Sequence, residues 1–110
     1  MIDAGIATQV IEQYKKHGWV LRRILFSAPL SAQVSKLVGD LPACKSVIDA
    51  FWFSRRSQPD SEAWELRRLS GSPFALVEVI DDGTDQDEID SILNAVERRM
   101  SSAGPGPLSH

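Results

Sequence analysis

A chain of 110 residues, of which 43% are hydrophobic and 25% charged, has the size and composition of one globular domain, and two domains are not expected. Its longest apolar run, residues 47–53, is interrupted by Asp49 and falls far short of the roughly 18 residues that a membrane helix requires. The single cysteine, Cys44, excludes an intramolecular disulfide and a cysteine-based zinc site, and no signal-peptide pattern is present. We therefore expect a soluble, cytoplasmic protein without a membrane segment.

The net charge of −3 is distributed unevenly along the chain. Residues 1–56 contain eight Lys and Arg against four Asp and Glu, whereas residues 78–110 contain eight Asp and Glu against two Arg. The basic front and the acidic back are predicted to neutralise each other, within one molecule or between two. The acidic balance argues against tight non-specific binding of nucleic acid, because such binding depends on cations that neutralise phosphates.

The front of the chain predicts a helix, a strand and a short second helix. Residues 3–17 carry apolar side chains four positions apart, with Tyr14 in that stripe, and Gly18 ends the helix. Residues 19–26 are apolar on both alternating faces, which is typical of a strand covered on two sides. Residues 30–38 predict a short helix that begins after a serine N-cap and ends at a glycine.

Three further strands are predicted after a connector at residues 39–45. They occupy residues 48–56, 62–69 and 74–80, and each is bounded by polar, glycine or proline residues. The last two strands predict a hairpin with a two-residue type II′ turn at residues 71–72.

In the register of that turn, Trp64 lies opposite Val79, and one face of the hairpin is apolar throughout. The other face places Glu65 against Glu78, which is a repulsive pair. Arg67, diagonal to Glu78, is the residue expected to offset the repulsion.

The final helix is predicted over residues 84–100, because acids crowd its first turn and an arginine pair its last. Residues 1–100 thus form a single domain, and residues 101–110 are expected to be a disordered C-terminal tail. The fold class is α+β: a two-layer sandwich with about four mainly antiparallel strands packed by N- and C-terminal helices, in the order α-β-α-β-β-β-α. Unless the helices divide between both sides of the sheet, an apolar sheet face remains open, and such faces mark partners or second copies.

All eight arginines occur in adjacent pairs, and three pairs follow a tryptophan in the phrase Trp-x-x-Arg-Arg. Successive residues of a strand point to opposite faces, so each pair is expected to present one guanidinium on each side of the sheet. These phrases define the candidate interaction surface, which comprises Trp19, Arg22, Arg23, Trp52, Phe53, Arg55, Arg56, Trp64, Arg67 and Arg68. The alternative interpretation is that the tryptophans are core residues and that the arginines pair with acids of the same domain.

No catalytic, cofactor-binding or metal-binding residue is predicted, and no cofactor. Cys44, beside Lys45, and His17 are the sole candidates for nucleophilic catalysis, and an isolated cysteine is more often a small buried hydrophobe. The acids between residues 78 and 90 lack the ligand spacing of a calcium loop.

Three functional hypotheses follow from these patterns. The leading one is a non-enzymatic interaction domain that forms a homodimer, or binds a protein partner, through an apolar sheet face. The second is binding of nucleic acid or another polyanion by the Trp and Arg-Arg strands, which is less favoured. The third is an enzyme or a small-ligand sensor around Cys44.

Overall fold

The computed structural model describes residues 2–69 and 74–103. Within those ranges the chain forms three helices and five strands. The helices are α1 Ala4–Lys16, α2 Ala32–Val38 and α3 Gln86–Ala103. The strands are β1 Val20–Phe26, β2 Ala43–Lys45, β3 Ala50–Gln58, β4 Ser61–Arg68 and β5 Phe74–Asp81.

The strands form one sheet in the order β2-β1-β3-β4-β5. All neighbours are antiparallel except β1 and β2, which are parallel. The predicted α+β class, with a mainly antiparallel sheet and N- and C-terminal helices, is confirmed. Strand β2 is an addition, because its three exposed residues lie in the segment that was predicted to be a connector. A strand of three residues is too short to show a periodic pattern in the sequence.

The helix ends lie within two residues of the predicted positions, except at the C-terminus of α3. The carboxylate of Asp3 caps α1 by accepting a hydrogen bond of 3.0 Å from the Ile6 backbone N–H, and the Ser31 hydroxyl caps α2 in the same way. Gly18 follows α1 with φ of +87°, a conformation that side-chain-bearing residues rarely adopt. Helix α3 continues to Ala103, so the first three residues of the predicted tail are helical, and residues 104–110 lie outside the described residues.

The helices divide between the two sides of the sheet. On one side, called the α3 side, even-numbered residues of β3 and β4 such as Trp52 and Leu66 pack against α3. On the other, called the α1 side, Phe51 and Phe53 pack against α1 and α2. The helices α1 and α2 thus add a layer to the predicted two-layer packing. Because helices cover both sides of the sheet, most of the apolar strand side chains that one helical layer would leave exposed are buried.

The predicted register of the β4–β5 hairpin is wrong by one residue. Trp64 lies opposite Glu78 rather than Val79, and Leu66 lies opposite Leu76. The observed partners are symmetric about position 71, whereas the predicted two-residue turn makes them symmetric about the midpoint between residues 71 and 72. The predicted turn itself lies outside the described residues.

A shift of one residue exchanges the two faces of β5. In the observed register Leu76 and Ile80 join the core beneath α3. Val77 and Val79 therefore lie on the α1 side, where they are 52% and 56% exposed. Glu65 lies opposite Val77, so the predicted repulsion between two glutamates does not arise.

Candidate functional site

The arginine pair of β1 does not divide between the two sides of the sheet as the sequence predicted. A β-bulge between Leu21 and Arg23 adds one residue to the strand, and both guanidinium groups consequently lie on the α3 side. Arg22 lies 4.9 Å above the ring of Trp64, and Arg23 forms an ion pair of 2.6 Å with Asp90 of α3. The alternation rule failed here because a bulge has no reliable mark in the sequence.

Arginines on the α3 side are matched by acids of the same domain. The ion pairs are Arg22 with Glu62 at 3.8 Å, Arg23 with Asp90 at 2.6 Å and Arg56 with Asp82 at 2.6 Å. The hydrogen bond from Arg23, assisted by one from Gln86, lowers the pKa of Asp90 below its ordinary value. For these arginines the interpretation of internal pairing is therefore the better one.

The tryptophans on the α3 side are core residues. Trp52 is fully buried and its indole N–H donates a hydrogen bond of 2.8 Å to Glu97 of α3. Trp64 is 6% exposed and packs edge-on against Trp52, with ring centroids 6.2 Å apart. Neither ring is open to stacking by a ligand.

The residues of the candidate interaction surface lie on both sides of the sheet. Arg22, Arg23, Trp52, Arg56, Trp64 and Arg68 lie on the α3 side, and Trp19, Phe53, Arg55 and Arg67 lie on the α1 side.

On the α1 side the arginines contact backbone oxygens. Arg55 is exposed, lies 4.8 Å above the ring of Trp19 and donates a hydrogen bond of 3.0 Å to the carbonyl of His17. Arg67 is half-buried and donates a hydrogen bond of 2.6 Å to the carbonyl of Arg68. In the described part of the chain, neither guanidinium forms an ion pair with a carboxylate.

A groove of about 530 Å³ lies between α1 and the α1 side of β4. Tyr14 forms the apolar wall of the groove, and its ring stacks on that of Phe53 with centroids 4.0 Å apart. The Tyr14 hydroxyl donates a hydrogen bond to Glu65. Burial, together with the hydrogen bond and charge of Glu65, raises the pKa of Tyr14 well above its ordinary value. The groove is lined by Val10, Gln13, Tyr14, His17, Trp19, Arg55, Glu65 and Arg67.

Tyr14 and Glu65 were not among the predicted site residues. The sequence pattern places Tyr14 in the apolar stripe of the first helix and Glu65 among the charged residues of the hairpin. A buried tyrosine hydroxyl requires a hydrogen-bond partner, so a tyrosine in an apolar stripe is the signal that could have indicated a polar group across from α1.

Strand β5 forms the outer edge of the sheet. The Asp82 N–H donates a hydrogen bond to the Asp60 carbonyl, and residues 60 and 82 are opposite each other in the β4–β5 register. This bond therefore identifies which opposing residues of the two strands exchange backbone hydrogen bonds. By the alternation of an antiparallel ladder, even-numbered residues of β5 bond to β4, and the N–H and C=O groups of Ala75, Val77 and Val79 point away from the sheet.

The catalytic hypothesis around Cys44 receives no geometric support. Cys44 is exposed on β2, whereas His17 lines the groove over β4, and strands β1 and β3 lie between those two strands. Among residues 2–69 and 74–103, no group of three His, Cys, Asp or Glu side chains is placed to hold a metal ion. No helix in the same ranges has the length and hydropathy needed to cross a membrane.

Comparisons with protein-family models, with curated proteins and with solved structures find nothing that matches this chain.

Proposed function

We propose that this domain is a non-enzymatic interaction module that assembles with a second copy of itself through the edge of β5. The observation that carries the proposal is the outward row of backbone N–H and C=O groups at Ala75, Val77 and Val79, beside two valine side chains that are more than half exposed. An unpaired edge of this kind is a ready template for another strand.

Strand β5 has few of the features that protect an exposed edge. Residues 75–80 contain neither proline nor lysine, and their single charged residue is Glu78, whose side chain lies on the α3 side. The strand is eight residues long, so a second strand could form several hydrogen bonds along it.

A two-fold axis at Val77 gives a self-complementary pairing. Two antiparallel β5 strands would then place Val77 opposite itself, Val79 opposite the Ala75 of the second copy, and Glu78 opposite its Leu76. The alternative centre at Glu78 would place two carboxylates directly opposite each other, which is destabilising. The favoured pairing joins two five-stranded sheets and brings four exposed valines together on the α1 side.

Binding of a polyanion has less support. Three of the sheet arginines are engaged by Glu62, Asp82 and Asp90, and the rings of Trp52 and Trp64 are buried. The cytoplasmic location remains part of the proposal, because reducing conditions keep an exposed thiol such as Cys44 from forming intermolecular disulfides.

Size-exclusion chromatography with light scattering tests the proposal on the natural chain, Val77→Lys and Val47→Lys, at low and at high salt. We expect the natural chain to have twice the monomer mass of 12.2 kDa at both salt concentrations, because the pairing uses backbone hydrogen bonds and apolar contacts. Val77→Lys should be monomeric, since it places two ammonium groups opposite each other.

Val47 is the matched control, because it is 80% exposed, is also a valine and lies outside β5. Val47→Lys should remain dimeric. A natural chain that is monomeric at the highest concentration attainable, or a Val77→Lys variant that dimerises as well as Val47→Lys, would contradict the proposal.

A further inference from the structure

Arg55 and Arg67 present guanidinium groups to the groove between α1 and β4. Each makes a hydrogen bond to a backbone carbonyl, and in the described ranges neither forms an ion pair with a carboxylate. A guanidinium has five N–H donors, so one such bond leaves most of the donors of each arginine open to a ligand. On the α3 side, by contrast, acids of the same domain meet the charges of Arg22, Arg23 and Arg56.

The charge balance inside the groove favours an anion. Among the described residues that line it, Glu65 is the one acid, and it already accepts the hydroxyl hydrogen of Tyr14. Tyr14 itself is neutral at physiological pH, because the ordinary tyrosine pKa of about 10 is already far above it, and burial and Glu65 raise the pKa further. Two cationic side chains and one engaged carboxylate therefore give a local positive excess in a chain whose net charge is −3.

An aromatic ring lies beside the arginines in the groove, because the Arg55 guanidinium is 4.8 Å above one face of Trp19. Trp19 is half-buried and packs edge-on against Tyr14, with ring centroids 6.0 Å apart, so it is held in place from one side. Gln13 adds an amide that can donate to or accept from a ligand. A volume of about 530 Å³ lies within the range of roughly 300–1,000 Å³ that is typical of sites for small molecules.

We propose that this groove binds a small organic anion, with its carboxylate or phosphate group held by Arg55 and Arg67 and its apolar or aromatic body against Trp19. Guanidinium groups bind both kinds of anion through paired, charge-assisted hydrogen bonds, and aromatic rings accept flat apolar surfaces. The groove is formed by α1, β3 and β4 of a single copy, so binding does not depend on the pairing of β5.

Calorimetric titration and two-dimensional NMR with four probes test this site. The probes are benzoate, phenyl phosphate, the neutral analogue benzyl alcohol and inorganic phosphate. We expect at least one of the two aromatic anions to bind and to shift the indole N–H signal of Trp19 more than those of Trp52 and Trp64. Comparison of benzoate with phenyl phosphate identifies the preferred anionic group.

Arg55→Gln and Arg67→Gln should each weaken binding by about tenfold or more, the effect of losing a charge-assisted hydrogen bond. Arg56→Gln is the matched control, since Arg56 is adjacent to Arg55 in sequence but pairs with Asp82 on the other side of the sheet. It should bind the anion as the natural chain does. Arg55 is exposed, so its variant keeps the test valid if the half-buried Arg67 proves necessary for folding.

Several outcomes would overturn the site. These are the absence of binding by both aromatic anions at millimolar concentration, equal effects of Arg55→Gln and Arg56→Gln, and equally tight binding of benzyl alcohol. Inorganic phosphate that binds as tightly as phenyl phosphate would refute the role of Trp19. The light-scattering mass of Arg55→Gln should equal that of the natural chain, so the anion site and the β5 interface can fail independently.

Discussion

On the α3 side of the sheet, arginines meet acids and tryptophans are buried, whereas on the α1 side arginines meet backbone carbonyls and Trp19 is half exposed. Both environments arise from the same Trp-x-x-Arg-Arg phrase. The phrase supplies a large aromatic residue and two cations, and the neighbouring helix decides their role. Helix α3 brings Asp90 and Glu97 to the sheet, while α1 brings Tyr14 and leaves the cations of its side facing a groove.

The helices also cover the sheet unequally. Helix α3 packs over the strands that include β5, so Leu76 and Ile80 are covered. Helices α1 and α2 pack over β1 and β3, so Val77 and Val79 on the same strand remain exposed. The edge proposed for pairing and the groove proposed for an anion both result from this uncovered corner on the α1 side of β4 and β5.

The largest expected difference between the two sides concerns the tryptophans. Trp52→Ala should lower the free energy of unfolding by about 3–5 kcal/mol, because it empties a fully buried site and leaves Glu97 without its indole donor. Trp19→Ala should cost clearly less, since its ring is half exposed. Urea denaturation of both variants measures the difference, and equal losses would show that the two sides are equally packed.

The second largest effect is expected from ionisation of Tyr14, which lowers stability at alkaline pH. Because its pKa in the folded state is raised above the ordinary value of about 10, stability from the neutral hydroxyl is complete below pH 10 and declines as pH rises beyond it. Tyr14→Phe should remove this alkaline decline. Tyr14 is the single tyrosine of the chain, so the near-ultraviolet absorbance of tyrosinate reports it alone. A midpoint at the ordinary pKa would contradict its burial beside Glu65.

The smallest effect is expected at Asp90, on the surface of α3. Its lowered pKa means that the stability it contributes is present above the ordinary aspartate pKa of about 3.9 and is lost as pH falls through the lower folded value. NMR titration should show that Arg23→Gln raises the pKa of Asp90 toward the ordinary value. Arg55→Gln, on the α1 side, should leave it unchanged, and an equal response to both variants would refute the pairing.

Much of the fold could be predicted from the sequence, because helix caps and strand alternation are local signals. Asp3, Ser31 and Gly18 marked helix ends that the structure confirms. The bulge beside Arg22 and the one-residue register shift at Trp64 could not be predicted. The bulge depends on an extra residue and the register on the connection between two strands, and neither produces a periodic pattern in the sequence.

Only some residues of the candidate groove could be predicted, because the others depend on how distant elements of the chain pack together. Alternation correctly separates Arg55 from Arg56, but it cannot say which helix covers which side. Tyr14 and Glu65 are 51 residues apart in sequence, so their contact depends on the docking of α1 against β4.

Pairing of β5 edges at Val77 is tested most directly by a disulfide across the proposed two-fold axis, in a Cys44→Ser background. In the favoured register the α-carbons of residue 77 in the two copies lie about 5.5 Å apart, within the range that a disulfide spans. Val77→Cys should therefore form a covalent dimer almost completely on mild oxidation, while Val47→Cys in the same background stays largely monomeric on a non-reducing gel. Equal cross-linking of the two variants, or none at Val77→Cys, would contradict the assembly.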